Sequence, residues 1–440
     1  MSEESLKKQA LLTAGGGALT RAMGFGMRLF LSRTLGAEAL GIMELASGAH
    51  MLALTPGTAG LPGAVSRLTA RADTPQKRRL TLYAARRTAL KTGLILAPLF
   101  FLLSPMIARL LGDERALPSL WLFSPCVLFA GLSAVYDGAF FGRGRVLPPA
   151  VRQLTEQAVR LAAVAGLAFL APRLTAAYRA TLPALASTAG EGAGLLAILA
   201  LARKDPPYGR DSLPMNGPKE NLRPLRNGSE TRKIQRELWR LSLPALANRL
   251  CHTGLRSLCN VIIPLRLMAG GLEQREAMSR LGMLGGMVMP LMLLPGLISG
   301  ALAVVGGPAV ARCCTKKAEN RLAARLLLSA LGTGLACCGA LYALAPFLSA
   351  RLYRLPELTH LLRAACPLSV ILPVQQTVSG LLTGLGLQKR SLTAGLLGAA
   401  ATLLCTWQWT PSFGILGSAY AAMAGHALTM ACELIHLLLR

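Results

Sequence analysis

Apolar residues along the 440-residue chain fall in long blocks, without the short alternation expected of soluble helices and strands. A block of about 20 such residues is long enough to cross a bilayer as a helix. Twelve can be drawn: 9–32, 38–66, 88–111, 118–141, 150–171, 177–201, 241–265, 281–310, 325–348, 359–384, 391–409 and 414–438. With 53% hydrophobic residues, the chain is predicted to be an all-α polytopic membrane protein with about 12 transmembrane helices.

Lysine and arginine residues concentrate in every second loop. With the N-terminus inside, the cytoplasmic segments hold 31 of the 47 lysines and arginines, and the outer segments with their flanks hold 11. These cytoplasmic segments are 1–8, 67–91, 142–152, 203–240, 312–325, 385–390 and Arg440. This distribution predicts that both termini are cytoplasmic. Nucleic acid is not an expected partner despite the net charge of +27, because a nucleic-acid binder presents its basic residues on a folded soluble surface.

Residues 203–236 separate two halves that resemble each other. The segment is rich in Pro, Gly, Asn and charged residues and is predicted to be a flexible cytoplasmic linker without a packed core. The predicted domains are therefore a six-helix lobe over 1–202, the linker, and a second six-helix lobe over 237–440. Residues 51–71 and 290–312 share a Leu-rich run, Pro-Gly, small residues and a terminal Arg. Six helices separate equivalent positions, so the repeat is parallel, as in one class of secondary transporters.

Two pairs of arginines occupy apolar spans. Arg21 and Arg28 lie seven residues apart in the first span, and Arg249 and Arg256 have the same spacing in the seventh. Seven residues place two side chains on nearly one face of a helix, roughly 10 Å apart. An arginine at the bilayer centre costs roughly 3 kcal/mol on the mildest scale, so we expect these side chains to face a cavity that holds an anion. Snorkelling to the interface remains open for Arg28, near the end of its span.

Other polar residues inside the spans admit structural as well as functional interpretations. Glu156 and Arg160 are an i, i+4 pair that a structural salt bridge would explain, and the neighbouring Gln153 and Gln157 could bind a headgroup. Glu191 is a candidate proton carrier or interhelical partner. Asn260, Gln375 and Gln376 are more typical of interhelical hydrogen bonding, and no role is assigned to His50 or His252.

The ten cysteines do not predict a disulfide framework or a metal site. Eight lie in apolar stretches, Cys313 and Cys314 lie in a basic loop, and no C-x-x-C spacing occurs. No cofactor is expected. The N-terminus enters the first span without a short apolar core and a cleavage site, so this span is predicted to be an uncleaved anchor.

Four stretches resemble the multidrug/oligosaccharidyl-lipid/polysaccharide flippase superfamily, and within it the stage V sporulation protein B group of polysaccharide exporters, which is related to lipid II flippases. They are LTRAMGFGMRLFLSRTLGAEALGIMELA (19–46), LPGAVSRLTA (61–70), FFGRGRVLPPAVRQLTEQAVRL (140–161) and GLLTGLGLQKRSL (380–392). The third carries the family's Gly-rich turn, prolines and Gln-x-x-Glu-Gln-x-x-Arg helix. The likeness spans nearly the whole chain.

The resemblance implies a MATE-like fold whose two lobes alternate around a cationic cavity. The implied cargo is an undecaprenyl-pyrophosphate saccharide, moved across the cytoplasmic membrane for cell-wall, peptidoglycan or spore-cortex synthesis. Arg21 matches the cavity arginine of the lipid II flippases and Arg28 a basic position of the sporulation group, whereas Arg249 and Arg256 match only regionally. Glu44 occupies a place where the family often has a neutral polar residue.

Several consequences of the resemblance stay open. Cell-wall synthases are candidate partners beside the membrane lipids, a monomer is expected, and the coupling ion or membrane potential is not fixed. Many relatives have fourteen helices, so the lipid tail must be held differently here. The alternative function is a MATE-type multidrug or cation antiporter, which needs membrane carboxylates where this chain has arginines. A membrane glycosyltransferase or ligase would need catalytic carboxylates on a large outer loop, and Asp113-Glu114 is the only close acidic pair there.

Overall fold

A computed structural model describes residues 3–208, 228–296, 310 and 315–439. These residues form helices and connecting turns, and no strand occurs among them. The α-helices are α1 (Glu3–Leu35), α2 (Ala37–Thr58), α3 (Leu61–Arg71), α4 (Pro75–Leu110), α5 (Leu117–Gly142), α6 (Leu147–Leu167), α7 (Ala176–Lys204), α8 (Gly228–Ala269), α9 (Gln274–Gly282), α10 (Met289–Met292), α11 (Lys316–Phe347), α12 (Leu358–Ala365), α13 (Leu368–Gly384), α14 (Gln388–Phe413) and α15 (Ile415–Leu438).

Seven helical segments within the described ranges are long and apolar enough to cross a membrane. They are Pro75–Leu110, Glu114–Gly142, Leu147–Arg173, Ala176–Lys204, Lys316–Tyr353, Leu358–Gly384 and Ile415–Leu438. The chain is thus a multi-pass helical membrane protein, as the apolar blocks predict. The count of twelve spans and the cytoplasmic position of both termini stay predictions.

Several of the predicted spans are interrupted, and the one drawn over 359–384 is divided between α12 and α13. The span drawn over 38–66 is divided, because α2 ends at Thr58 and α3 starts at Leu61. Pro62 lies in the first turn of α3 and has no N–H for a continuous helix, which explains the break. The span drawn over 281–310 contains a π-helical turn at Met283–Val288 before α10, and its part over 297–309 lies outside the described residues.

The prediction that residues 203–236 form no packed structure is wrong at the C-terminal end of that segment. Residues 228–236 are the first turns of α8, in which Ile234 and Leu238 stand four residues apart. Leu238 is fully buried in an apolar cluster with Ile234 packed against it, and Gln235 donates a hydrogen bond to Thr88 at 3.2 Å. Two apolar residues on one helical face are thus enough to pack this segment, although its composition is polar. Residues 209–227 lie outside the described part of the chain.

The chain packs as two compact units. The first consists of Met1–Gly24 and Ala46–Leu250, and the second of Phe25–Leu45 and Cys251–Arg440. Helices α1, α2 and α8 therefore each contribute to both units. The lobe boundaries predicted from the sequence repeat stay a prediction.

Helix α5 lies at the centre of the first unit. It packs against α3, α4 and α7 and is buried along most of its length. Val135 and Ala139 join the apolar cluster of α3, α4 and α8, and on the other side Tyr136 and Phe140 pack with Leu195 and Ile198 of α7. Asp137 is thus carried into the interior of the unit by an otherwise apolar helix.

Close contact between small residues organises the second unit. Helices α14 and α15 form a hairpin whose turn is made by Gly414, at a positive φ of 60° that favours glycine. A side chain at Gly398 would meet the backbone of Gly425 and the hydroxyl of Thr429. Such close approach of backbones is typical of membrane helices, where tight packing replaces the hydrophobic effect.

Candidate functional site

A cavity of about 370 Å³ lies inside the second unit. Its wall is formed by α2, α8, α13, α14 and α15 and by the helical segment over 281–293. The polar residues that line it are Glu44, His252, Arg256, Asn260, Gln375, Thr402, Thr406, Ser418, His426 and Thr429. The remaining lining is apolar or glycine, with leucines, isoleucine and methionine. This size and this mixture of a few polar groups in an apolar wall are typical of ligand sites.

The space in the cavity comes from small residues on two helices. Helix α14 presents Gly395, Gly398 and Ala399 to it, and α15 presents Ala422 and Gly425. These positions recur at three or four residues and therefore share one face of each helix. The same glycines that let α14 and α15 pack closely also keep large side chains out of the cavity.

Helix α8 supplies the most polar wall. His252, Arg256, Cys259, Asn260 and Ile263 all line the cavity and follow the period of one helical face. No role was predicted for His252, and Asn260 was expected to make interhelical hydrogen bonds. Both lie four residues from Arg256, and this spacing could have predicted that they share its helical face.

The charges around the cavity leave one guanidinium without a counter-ion. Glu44 is paired with Arg28, whose Nη1 lies 3.5 Å from Glu44 Oε1 and 3.4 Å from the carbonyl oxygen of Gly285. Arg256 has no ion-pair partner among the residues that the structure describes. The cavity therefore carries a net positive charge that an anion would balance.

A neutral hydrogen-bonding pair stands on another wall of the cavity. His426 Nδ1 lies 2.9 Å from Gln375 Oε1, and both residues are half-buried. Because an amide oxygen can only accept, this hydrogen bond requires the ring proton on Nδ1. Sugar hydroxyls and phosphate oxygens are the kinds of group that such a wall can hydrogen-bond.

The structure separates the four predicted cavity arginines into different situations. Arg256 lines the cavity and Arg28 borders it through Glu44, whereas Arg249 lies on the part of α8 that belongs to the first unit. Arg249 and Arg256 are both exposed. The side chain of Arg21 lies outside the described residues. Convergence of all four therefore stays a prediction.

A second group of charged side chains is buried in the first unit, between α5, α6 and α7. Arg152 donates to both carboxylate oxygens of Asp137, at 3.1 and 3.0 Å from Nε, and to Glu156 at 2.9 Å. Arg160 donates to Glu156 at 2.6 Å and lies 3.8 Å from Glu191. The predicted pair of Glu156 and Arg160 is thus present, as part of a larger buried network.

Sequence reasoning missed two members of this network, Asp137 and Arg152. Arg152 precedes Glu156 and Arg160 at steps of four residues, which places all three on one face of α6. Asp137 is the one carboxylate in the apolar run of α5 and would have been the natural partner to seek. Gln153 and Gln157, which were expected to reach a headgroup, are half-buried on the same helix.

No group of three or more His, Cys, Asp and Glu residues in the described ranges has the arrangement of a metal site.

The family model for polysaccharide biosynthesis proteins matches residues 6–313 of this chain. The chain belongs to the polysaccharide biosynthesis protein family. A curated relative, stage V sporulation protein B of Bacillus subtilis (strain 168), is 27% identical over 438 residues, which is 97% of this chain and 82% of the relative. The predicted resemblance to the sporulation group is thereby confirmed.

Solved structures show the fold of this polysaccharide biosynthesis protein. The lipid II flippase MurJ in an inward closed conformation matches with a TM-score of 0.74 at 13% identity, covering 97% of this chain and 87% of MurJ. An inward-facing multidrug resistance MATE family transporter matches with a TM-score of 0.71 at 15% identity, covering 98% of both chains. The fold is therefore MATE-like, as predicted.

Proposed function

We propose that this protein is a flippase that moves undecaprenyl-pyrophosphate-linked saccharides from the inner to the outer leaflet of the cytoplasmic membrane. It would do so by alternating access of its two six-helix lobes, with twelve spans and both termini inside. The single observation that carries the proposal is Arg256, an unpaired guanidinium in a cavity with hydrogen-bonding side chains, in a member of the polysaccharide biosynthesis family.

The chemistry of the cavity suits this cargo. A guanidinium binds phosphate oxygens through two parallel hydrogen bonds, and the interaction is strong where water is scarce. His252 and Asn260 flank Arg256 on α8, and Gln375 and His426 offer further donors and acceptors for sugar hydroxyls. In this proposal Arg21, Arg28 and Arg249 add positive charge along the path of the pyrophosphate.

The alternative function, a MATE-type antiporter for cationic drugs, draws support from the fold alone. A cationic drug would require an available carboxylate in the cavity. Glu44 lines the cavity, but its carboxylate is engaged by Arg28. The acidic pair that a membrane transferase would need is also engaged, because Asp113 binds Arg115 at 2.7 Å and Glu114 binds Arg109 at 3.2 Å.

The test is a headgroup-accessibility assay in proteoliposomes with a fluorescent undecaprenyl-pyrophosphate-linked saccharide. We expect the wild type to expose the headgroup to an added quencher, Arg256→Ala to lose this activity and Arg256→Lys to recover part of it. Arg240→Ala, at an exposed position of the same helix that does not line the cavity, is the matched control and keeps activity. Transport by Arg256→Ala at the wild-type rate would refute the role of Arg256, and ethidium efflux without lipid movement would favour the antiporter.

A further inference from the structure

The buried network of the first unit contains unequal numbers of opposite charges. Its carboxylates are Asp137, Glu156 and Glu191, and its guanidiniums are Arg152 and Arg160. The charged groups that act on Glu191 are the other four members of this network. If all five side chains were ionised, the network would carry one uncompensated negative charge inside the helix bundle.

An uncompensated carboxylate in a low-dielectric interior costs several kcal/mol, and such a group usually takes up a proton instead. The hydrogen-bond distances indicate which of the three carboxylates carries it. Asp137 and Glu156 accept hydrogen bonds at 2.6–3.1 Å, whereas Glu191 approaches Arg160 only to 3.8 Å. Of the three carboxylates, Glu191 is therefore the one bound most weakly by a guanidinium.

Close packing of α7 on α6 places Glu191 at the edge of the network. Gly190 lies against the backbone carbonyl of Glu156 and the side chain of Arg160, so a larger residue there would separate the helices. The Glu191 side chain keeps a relative accessibility of 15%, against 10% for Asp137 and 11% for Glu156. Glu191 is therefore the least enclosed carboxylate of the network.

Two buried polar atoms beside the network lack hydrogen-bond partners among the described residues. They are Nδ1 of His50, whose side chain is 5% exposed and stacks on Phe123, and Nε of Arg160.

The titratable and charged groups that interact with Glu191 come from two helices. They are Cys126 and Asp137 of α5, and Arg152, Glu156 and Arg160 of α6. The nearby guanidiniums oppose a metal cation at Glu191, because the ion would stand beside Arg160. A proton carried on the carboxyl group neutralises the same charge without that repulsion.

We propose that Glu191 carries a proton that is taken up and released in each transport cycle, so that movement of the cargo is coupled to movement of protons. Uptake converts the carboxylate to a carboxylic acid and brings the network to zero net charge. Release returns the proton to water and leaves Arg160 shared between Glu156 and Glu191. The coupling step rests on the proposed flippase function, whereas the proton site itself does not.

Infrared difference spectroscopy of the purified full-length protein across a pH titration tests the site directly. We expect a carboxylic-acid carbonyl band that titrates in the wild type and is lost in Glu191→Gln. Glu433→Gln is the matched control, since Glu433 is also a buried carboxyl group, 1% exposed and hydrogen-bonded by Ser379 and Ser391, but lies in the second unit. The proposal is overturned if the titrating band survives in Glu191→Gln or if Glu433→Gln alone removes it.

Proteoliposomes with the fluorescent lipid-linked saccharide test the coupling. An imposed pH gradient should change the wild-type transport rate, and Glu191→Gln should lose this response. An unchanged response in the variant, or a response to a sodium gradient that Glu191→Gln abolishes, would overturn proton coupling. If the wild type moves no saccharide, the flippase function fails while the infrared result still decides the proton site.

Discussion

Arg152 shares a single guanidinium between Asp137 and Glu156, and all three residues are at most 8% exposed. Replacing it with alanine should lower the free energy of unfolding by about 3–5 kcal/mol, because two carboxylates stay behind without their counter-ion. Thermal unfolding of the detergent-purified variant measures the effect. The matched control is Arg109→Ala, whose pair with Glu114 is largely exposed and should contribute less than about 1 kcal/mol.

A second variant separates the loss of charge balance from the loss of packing. Arg152→Met combined with Asp137→Asn removes one charge of each sign and should recover part of the stability lost in Arg152→Ala. If Arg152→Ala unfolds at the same temperature as the Arg109→Ala control, the structural role of the network is contradicted.

Single residues differ in how far the sequence predicts their surroundings. The cost of arginine in a membrane predicts a cavity role for Arg256, which lines the cavity of the second unit. The i, i+4 spacing of Glu156 and Arg160 predicts their salt bridge, which is present. Neither signal identifies Asp137 or the pairing of Glu44 with Arg28. Both depend on which helices are neighbours, and spacing along one helix contains no information about that.

Helices α14 and α15 can pack closely because glycines lie at their contact. A leucine at Gly398 would collide with the Gly425 backbone and with Thr429, so Gly398→Leu should destabilise the protein by about 1–3 kcal/mol. It should also reduce transport, since the hairpin lines the cavity. Melting temperature and the headgroup-accessibility assay measure the two effects.

The control for this substitution lies on another long helix of the second unit. Gly339 of α11 has nothing within 4 Å of an added Cβ. Gly339→Leu gains the same helix propensity as Gly398→Leu, so the difference between the two variants reports close packing alone. Equal melting temperatures in the two variants would show that the contact at Gly398 is not needed.

The long apolar blocks were enough to predict most helices but not their interruptions. Hydropathy treated 38–66 as one span, although Pro62 starts a new helix and Gly60 lies against the backbone of Ser242. The helical turns over 228–236 were missed for the opposite reason. Their polar composition hid the two apolar residues, Ile234 and Leu238, that anchor them to the first unit.

For the whole molecule, the distribution of charge predicts an orientation that the fold alone leaves open. If the loops rich in Lys and Arg are cytoplasmic, the turn around Glu114 is outside and the turn around Lys389 is inside. Both side chains are exposed, so each position can be labelled when replaced by cysteine. The ten native cysteines would first be replaced, which the lack of any disulfide among the described cysteines permits.

In intact cells, a membrane-impermeant maleimide should label Glu114→Cys at once and Lys389→Cys only after the membrane is permeabilised. The physical reason is the positive-inside rule, which keeps short basic loops on the cytoplasmic side during insertion. The two positions control for each other, because one reagent and one cell preparation report both. The reverse pattern would show that the orientation in the membrane is opposite to the predicted one. Labelling of both positions without permeabilisation would contradict an odd number of membrane crossings between residues 114 and 389. The direction of cargo movement proposed for the cavity around Arg256 depends on this result.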